Sequence, residues 1–139
     1  MLKRILTGIA ALLLVLAAGG GVFAWIEVRA FDASVAKKYD VPLPNIVRST
    51  DPQVLARGKH LAESLGGCIN CHGSDFGGGG TEDFGPLGSV VYSNITTGKG
   101  GRGARYSDGQ LARLIKHGIK HDGTSVLFMP STDFTWWPD

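Results

Sequence analysis

The sequence has little net charge, few sulfur-containing residues and no set of strand-forming runs. Its 139 residues carry a formal net charge of +2, which argues against a nucleic-acid-binding protein. Cysteine occurs twice, and methionine occurs once besides the initiator. No internal repeat, nucleophile–base pair or carboxylate dyad stands out, and residues 89–92 form the one short β-like run. A chain of this length also excludes a large enzyme fold.

Glycine, by contrast, is abundant in the second half of the chain. Sixteen of the 21 glycines lie between Gly66 and Gly123, a density that disfavours long continuous helices or strands there. We therefore expect something other than side chains to fill much of the core.

The N-terminal segment, residues 1–31, is predicted to be a membrane anchor. Residues 5–26 carry no charge, and a helix of that length spans about 33 Å, close to the thickness of a bilayer core. Lys3 and Arg4 precede this run and place its start on the cytoplasmic side. The alternative is a signal peptide, with an apolar region at residues 5–18 and a small-residue cleavage site at residues 22–24. Either interpretation exports residues 32–139.

The exported part is predicted to contain a linker followed by one domain. Residues 32–50 lose periodicity and include Val41-Pro42-Leu43-Pro44, which is typical of an extended spacer. The domain comprises residues 51–139.

Two helices are well marked in this domain. Asp51 is a good N-cap and Pro52 a good first helical residue, and the helix that follows is expected to end at Gly66-Gly67. A second helix begins with a capping box formed by Ser107 and Gln110, and Gly118 provides its stop.

Both cysteines belong to one motif, Cys68-Ile69-Asn70-Cys71-His72. The spacing C-x-x-C-H is the attachment signature of haem c. Two thiols three positions apart can each add to one vinyl group of the same porphyrin, and the adjoining imidazole then ligates the iron. The motif predicts one covalently bound haem c, with His72 as the proximal ligand.

The two cysteines have three alternative uses. A disulfide between Cys68 and Cys71 is compatible with an exported chain, and a catalytic dithiol has the same spacing but normally lies in a βαβ setting. A zinc site would have to recruit His117 and His121, which lie far beyond the usual spacing from Cys71.

An iron that transfers electrons without binding a substrate usually has a sixth ligand. Met129, within Leu127-Phe128-Met129-Pro130, is the one thioether in the exported part and is predicted to be that ligand. Its soft, neutral sulfur favours the ferrous state. The rival ligands are His60, His117 and His121, which are expected to be solvated.

The motif and the segments that follow it resemble class I c-type cytochromes. Matching elements, in order, are residues 68–72, Gly85-Pro86-Leu87-Gly88, Asn94-Ile95-Thr96, the helix after Ser107 and residues 126–130. The sequence is most similar to membrane-anchored mono-haem cytochromes of Gram-negative bacteria, including those that resemble cytochrome subunits of periplasmic dehydrogenases. The resemblance implies an all-α fold in which long glycine-rich loops wrap the haem, preceded by one transmembrane helix.

The resemblance also assigns roles to two further residues. The carbonyl of Pro86 is expected to accept the Nδ1 proton of His72, and Asn94 is expected near a haem propionate or the methionine loop. The aromatic residues are interpreted as haem-packing or core residues: Tyr92, Tyr106, Phe128, Phe134 and Trp136.

One element of the family pattern is missing. Members usually end in a helix that packs across the first one, whereas this sequence stops at Trp136-Trp137-Pro138-Asp139, where such a helix would start. If this sequence is the whole product, the stripe that contains Gly58, Leu61 and Leu65 is expected to lack its cover, which weakens the fold or lets a neighbouring chain replace that cover. The alternative is that the sequence is a fragment of a longer chain.

The sequence thus predicts an electron carrier rather than an enzyme. The resemblance implies a haem domain on the periplasmic side of a bacterial inner membrane. Electrons would arrive from a dehydrogenase or quinol-oxidising complex and leave toward a terminal oxidase or another cytochrome. Alternative functions are a haem-based gas sensor or weak peroxidase with a displaceable sixth ligand, and a non-haem dithiol redox protein.

Six basic residues between positions 99 and 120 are candidates for a docking surface that steers an acidic partner. They are Lys99, Arg102, Arg105, Arg113, Lys116 and Lys120.

Overall fold

The computed structural model describes residues 1–137 and divides the chain into two units, one ending at Lys37 and one beginning at Lys38. The first unit is the helix α1, Leu2–Ala36. Within residues 1–137, α1 is the one helix long and apolar enough to cross a membrane, and an 18-residue window in it has a mean hydropathy of 2.3. The predicted apolar helix is present, and it continues past residue 31 before Lys37 adopts an extended conformation.

The second unit is predominantly helical but not entirely so. It contains α2 (Pro52–Glu63), α3 (Cys68–His72) and α4 (Asp108–His117). Short 3₁₀ helices occupy Gly85–Leu87, Gly103–Arg105 and Ser131–Phe134. Two short strands, β1 (Thr81–Asp83) and β2 (Ser89–Val91), form an antiparallel hairpin with Glu82 opposite Val90. The strand predicted near residue 89 is confirmed, whereas the all-α prediction missed its partner strand.

Local capping chemistry explains where α2 and α4 begin. The Asp51 side chain accepts a hydrogen bond of 2.8 Å from the backbone N–H of Gln53. Ser107 and Gln110 form the predicted capping box, with distances of 2.9 and 3.2 Å. Gly118 ends α4 in the left-handed region, at φ +67°. These predictions are confirmed, except that α2 ends at Glu63, before the expected glycine pair.

The small core lies where α4 packs against the Ser131–Phe134 turn. Ile119 and Phe134 are the buried hydrophobic residues among those described, and the ring of Trp137 meets that of Phe134 edge-on at 5.3 Å. The Ser131 hydroxyl donates to the Leu114 carbonyl at 3.1 Å, which ties the turn to the helix. Phe134 is thus a core residue as predicted, whereas Trp136 is 89% exposed.

The segment between α1 and α2, which the sequence predicts to be an extended spacer, contacts the rest of the second unit. The backbone of Lys38 pairs with Thr124 in an antiparallel bridge, and the N–H of Tyr39 donates to the Gly123 carbonyl at 2.9 Å. Arg48 forms an ion pair with Asp108 at the start of α4. Residues 38–48 therefore belong to the second unit, because α4 and residues 119–125 supply partners that the isolated sequence does not reveal.

Helix α2 leaves its apolar stripe uncovered by the described residues. It buries no residue, Val54 and Leu55 are about half exposed, and a Cβ added at Gly58 would meet no atom within 4 Å. Residues 138 and 139, where the family's terminal helix was expected to start, lie outside the described part of the chain.

Candidate haem-attachment site

Helix α3 carries the complete Cys-x-x-Cys-His motif within five residues. Gly67 precedes it at φ +57° and Gly73 follows it at φ +79°, so both ends use left-handed backbone that favours glycine. Cys68 and Cys71 are three positions apart on this helix, which places both thiols on one side of it. Both thiols are free and half-buried, as attachment to a common group requires.

The His72 ring is oriented by a backbone carbonyl. Its Nδ1 lies 2.8 Å from the carbonyl oxygen of Ser93. Because a carbonyl can only accept, Nδ1 carries the proton, and Nε2 keeps the lone pair that a metal ion binds. The hydrogen bond fixes the ring and makes Nε2 a more basic ligand.

The predicted partner of His72, Pro86, is therefore corrected to Ser93. Pro86 is exposed in the 3₁₀ turn Gly85–Leu87, at the tip of the β1–β2 hairpin. Residues 92 and 93 return beside residues 78–80 at the hairpin base, next to α3. This pairing could not be predicted from the sequence, because β1 lacks an alternating pattern and its three residues are all exposed.

Asn94 shapes the loop that follows Ser93. Its Oδ1 accepts hydrogen bonds from the N–H and the hydroxyl of Thr96, at 2.9 and 2.7 Å. Its Nδ2 donates to the Lys99 carbonyl, and its own carbonyl accepts from the N–H of Arg102. These contacts give Asn94 a structural role in the loop, while the role near a propionate or the methionine loop stays a prediction.

Met129 is half-buried just before the Ser131–Phe134 turn. The N–H of Ser131 donates to its carbonyl at 2.8 Å. The preceding residue, Phe128, places its ring 5.1 Å from that of Phe84, tilted by 46°. The loop that carries Met129, the predicted sixth ligand, thus contacts the tip of the β1–β2 hairpin. The base of the same hairpin lies beside His72, the predicted fifth ligand.

Tyr92 adds a polar group next to the motif. Its hydroxyl lies 3.4 Å from a carboxylate oxygen of Glu82. Partial burial raises the pKa of the Tyr92 phenol, and the neighbouring Cys71 and Glu82 raise it further. Desolvation also raises the pKa of the Cys68 thiol, which favours its protonated form at neutral pH.

The rival histidines do not assemble into a metal site. His60 and His117 are exposed, and the ring of His121 meets that of Tyr106 edge-on at 5.0 Å. A search of residues 1–137 finds no group of three or more His, Cys, Asp or Glu side chains placed to bind a metal ion.

Arg113 does not belong to the predicted basic surface. It is buried to 9% exposure, and its guanidinium donates to the carbonyls of Lys120 at 2.7 Å and Val41 at 3.3 Å. The other five basic residues keep at least partial exposure.

The donor set and the surrounding side chains fit a covalently attached haem. Two thiols share one side of α3, and the adjacent imidazole has Nε2 free of the hydrogen bond that holds Nδ1. The same unit buries few hydrophobic residues and leaves large apolar ones more than half exposed, which a flat apolar macrocycle can cover. Examples are Leu65, Val91, Leu127 and Phe128.

Comparison with known proteins points to the same class. The chain is 30% identical over 89 residues to the cytochrome c subunits of alcohol dehydrogenase (quinone) from Gluconacetobacter polyoxogenes and Komagataeibacter europaeus. The alignment covers 61% of this chain and 19% of each relative, so the chain spans about a fifth of their length. No family model and no solved structure matches the chain. The similarity is distant and partial, and it suggests a cytochrome c.

Proposed function

We propose that the protein is an electron carrier with a single haem c bonded to Cys68 and Cys71 and ligated by His72 and Met129. The observation that carries this proposal is the arrangement on α3. Two free thiols and an imidazole lie within one short helix, and the Ser93 carbonyl fixes the imidazole with Nδ1 protonated. A dithiol enzyme has no need of a histidine held in this tautomer, whereas an iron ligand does.

Each residue has a defined task in this proposal. When bound, the haem supplies a one-electron iron couple. Cys68 and Cys71 hold it covalently, His72 donates Nε2, and Ser93 keeps that nitrogen basic. Met129 contributes a neutral thioether, which favours the reduced state and raises the reduction potential.

If His72 and Met129 both hold the iron, the haem would have no position for a substrate and would serve electron transfer. The relatives are named as subunits of a quinone-linked alcohol dehydrogenase. We infer that this chain accepts electrons from a dehydrogenase or a quinol-oxidising complex and passes them to a terminal oxidase or another cytochrome. Residues 96–106, called here the basic loop, carry three exposed cations, Lys99, Arg102 and Arg105, which we assign to docking an acidic redox partner.

The proposed location is the bacterial inner membrane, with the haem domain in the periplasm. Helix α1 is long and apolar enough to cross the bilayer, and Lys3 and Arg4 at its start favour a cytoplasmic N-terminus. In this orientation Cys68 and Cys71 lie in the periplasm, and the haem would be attached there. Cleavage of α1 as a signal peptide would leave the same domain soluble in the periplasm.

A redox titration of the full-length exported protein, followed by its visible spectrum, tests the function. We expect one reversible one-electron transition and slow binding of carbon monoxide by the reduced protein. Rapid carbon monoxide binding would contradict the carrier function and support a gas sensor or weak peroxidase. Two-electron dithiol chemistry without a haem spectrum would support the third alternative, a non-haem redox protein.

A further inference from the structure

The β1–β2 hairpin continues beyond its two named strands. The N–H of Gly79 donates to the Tyr92 carbonyl at 3.0 Å, and the N–H of Tyr92 donates to the Gly80 carbonyl at 2.9 Å. Residues 78–93, called here the positioning hairpin, thus form one ribbon. Its base lies beside α3, and its tip is the turn at residues 84–88.

At the base, Gly78 connects His72 to Ser93. The N–H of Gly78 donates to the His72 carbonyl at 2.7 Å, while the Ser93 carbonyl accepts the proton of His72 Nδ1. The two backbones are so close that a Cβ added at Gly78 would lie 2.5 Å from the carbonyl carbon of Ser93. It would lie equally close to the Tyr92 carbonyl oxygen and the Asn94 nitrogen, so any side chain at position 78 forces a shift between the backbone of Gly78 and residues 92–94, the segment that carries the Ser93 carbonyl.

At the tip, Phe84 connects the hairpin to the loop that carries Met129. The N–H of Phe84 donates to the Gly88 carbonyl at 2.8 Å, which closes the turn and fixes the backbone that bears the ring. That ring contacts Phe128, the residue directly before Met129. A tilted aromatic pair at this spacing attracts beyond the apolar area that it buries.

We propose that the positioning hairpin holds in place the two residues that would ligate the haem iron, with Gly78 as the positioning residue for His72 and Phe84 as the positioning residue for Met129. This inference rests on the proposed function. An isolated hairpin with strands of three residues is barely stable in water. The contacts at its base and its tip hold the positioning hairpin in place. The same contacts connect the helix that carries His72 to the loop that carries Met129.

The base is tested by Gly78→Ala with Gly79→Ala as its matched control. Both glycines have positive φ, +69° and +91°, so alanine is strained at either position, but a Cβ at Gly79 would meet no atom within 4 Å. We expect the reduction potential of the Gly78→Ala holoprotein to rise relative to Gly79→Ala, because a weaker Nδ1 hydrogen bond makes His72 a poorer donor to ferric iron. In ¹⁵N-labelled protein, the Nδ1 proton of His72 should exchange faster with solvent in Gly78→Ala alone. Equal potentials and equal exchange rates in the two variants would overturn the assignment of Gly78.

The tip is tested by Phe84→Ala with Leu87→Ala as its matched control. Leu87 lies in the same turn and is 91% exposed, so its truncation changes the surface without removing the ring contact. We expect carbon monoxide to bind reduced Phe84→Ala about tenfold faster than wild type, because the Met129 loop loses its support. The charge-transfer band of the thioether–ferric bond should also disappear at a lower temperature. A Phe84→Ala protein that matches Leu87→Ala in both measurements would overturn the assignment of Phe84.

The outcomes separate this inference from the function on which it rests. A wild-type protein without covalent haem contradicts the proposed function itself. A wild-type haem protein whose Gly78 and Phe84 variants both behave like their controls contradicts the positioning hairpin alone. If Gly78→Ala yields no holoprotein, the comparison of Phe84→Ala with Leu87→Ala tests the inference.

Discussion

Arg48 binds the carboxylate of Asp108 through two parallel hydrogen bonds. Its Nη2 lies 2.6 Å from Oδ1, and its Nε lies 3.2 Å from Oδ2. Arg48 belongs to the segment predicted as a spacer, and Asp108 is the first residue of α4. This contact, together with the bridge between Lys38 and Thr124, fixes that segment against the rest of the second unit. The side chain of Arg48 is 77% exposed, so the ion pair adds little to the free energy of folding and mainly orients the segment that carries Arg48.

Replacing Arg48 with Gln should change how stability depends on pH. The Arg48 guanidinium holds the pKa of the Asp108 carboxyl below its ordinary value of 3.8. A folded-state pKa that is lowered gives stability that is complete above 3.8 and is lost as pH falls through the lower, folded value. The stability difference between wild type and Arg48→Gln, from denaturant unfolding between pH 7 and pH 3, should therefore be small and should shrink below about pH 4. Arg57→Gln, an exposed change on α2, is the control, and a difference that grows on acidification would contradict the pair's role.

Replacing the buried Arg113 with Met should destabilise the domain. The substitution leaves the carbonyls of Lys120 and Val41 without their charged donor, which costs about 2 kcal/mol. Thermal unfolding of the holoprotein measures this loss against Arg102→Met, which removes an exposed arginine of the loop. Equal melting temperatures for the two variants would show that Arg113 does not fasten residues 38–48 to α4.

Replacing Met129 with Ala should remove the sixth ligand while leaving the haem attached. We expect the thioether-to-ferric charge-transfer band to disappear and the reduction potential to fall, because the neutral sulfur that favours ferrous iron is lost. The rival histidines provide controls, since His117→Ala and His121→Ala should keep both the band and the potential. Persistence of the band in Met129→Ala would assign the ligand to another residue.

The basic loop should control the rate of electron transfer to an acidic partner. Reduction of the wild-type protein by such a partner is expected to slow strongly as ionic strength rises. The triple variant Lys99→Gln, Arg102→Gln, Arg105→Gln should react more slowly at low salt and show a flatter salt profile. The control is Arg57→Gln combined with Lys59→Gln, which removes two cations from α2. A flat wild-type profile would exclude electrostatic steering.

Local chemistry made several elements predictable from the sequence. The caps at Asp51, Ser107 and Gly118 depend on side chains and dihedral preferences within a few residues, so the starts of α2 and α4 and the end of α4 were predicted correctly. The apolar N-terminal helix was predictable for the same reason, because its signal is one continuous run of uncharged residues, positions 5–26. The Cys-x-x-Cys-His motif is equally local, because the three residues predicted to hold the haem lie on one short helix.

Features that depend on distant partners were missed. Residues 81–83 have no alternating pattern, and they form β1 because residues 89–91 fold back on them. That pairing brings Ser93 rather than Pro86 to His72. The sequence predicts a surface position for Arg113, whereas its burial depends on contacts with Val41, 72 positions away, and Lys120, seven positions away. In each case the deciding contact is tertiary, and a one-dimensional pattern does not contain it.

The most direct test of the central claim is the intact mass of the full-length protein purified after export, combined with its pyridine haemochrome spectrum. The account predicts the polypeptide mass plus one haem that survives denaturation, and a spectrum typical of a porphyrin with two thioether bonds. The double variant Cys68→Ser, Cys71→Ser should lose both features. A colourless wild-type protein, with Cys68 and Cys71 either free or joined to each other, would contradict the account.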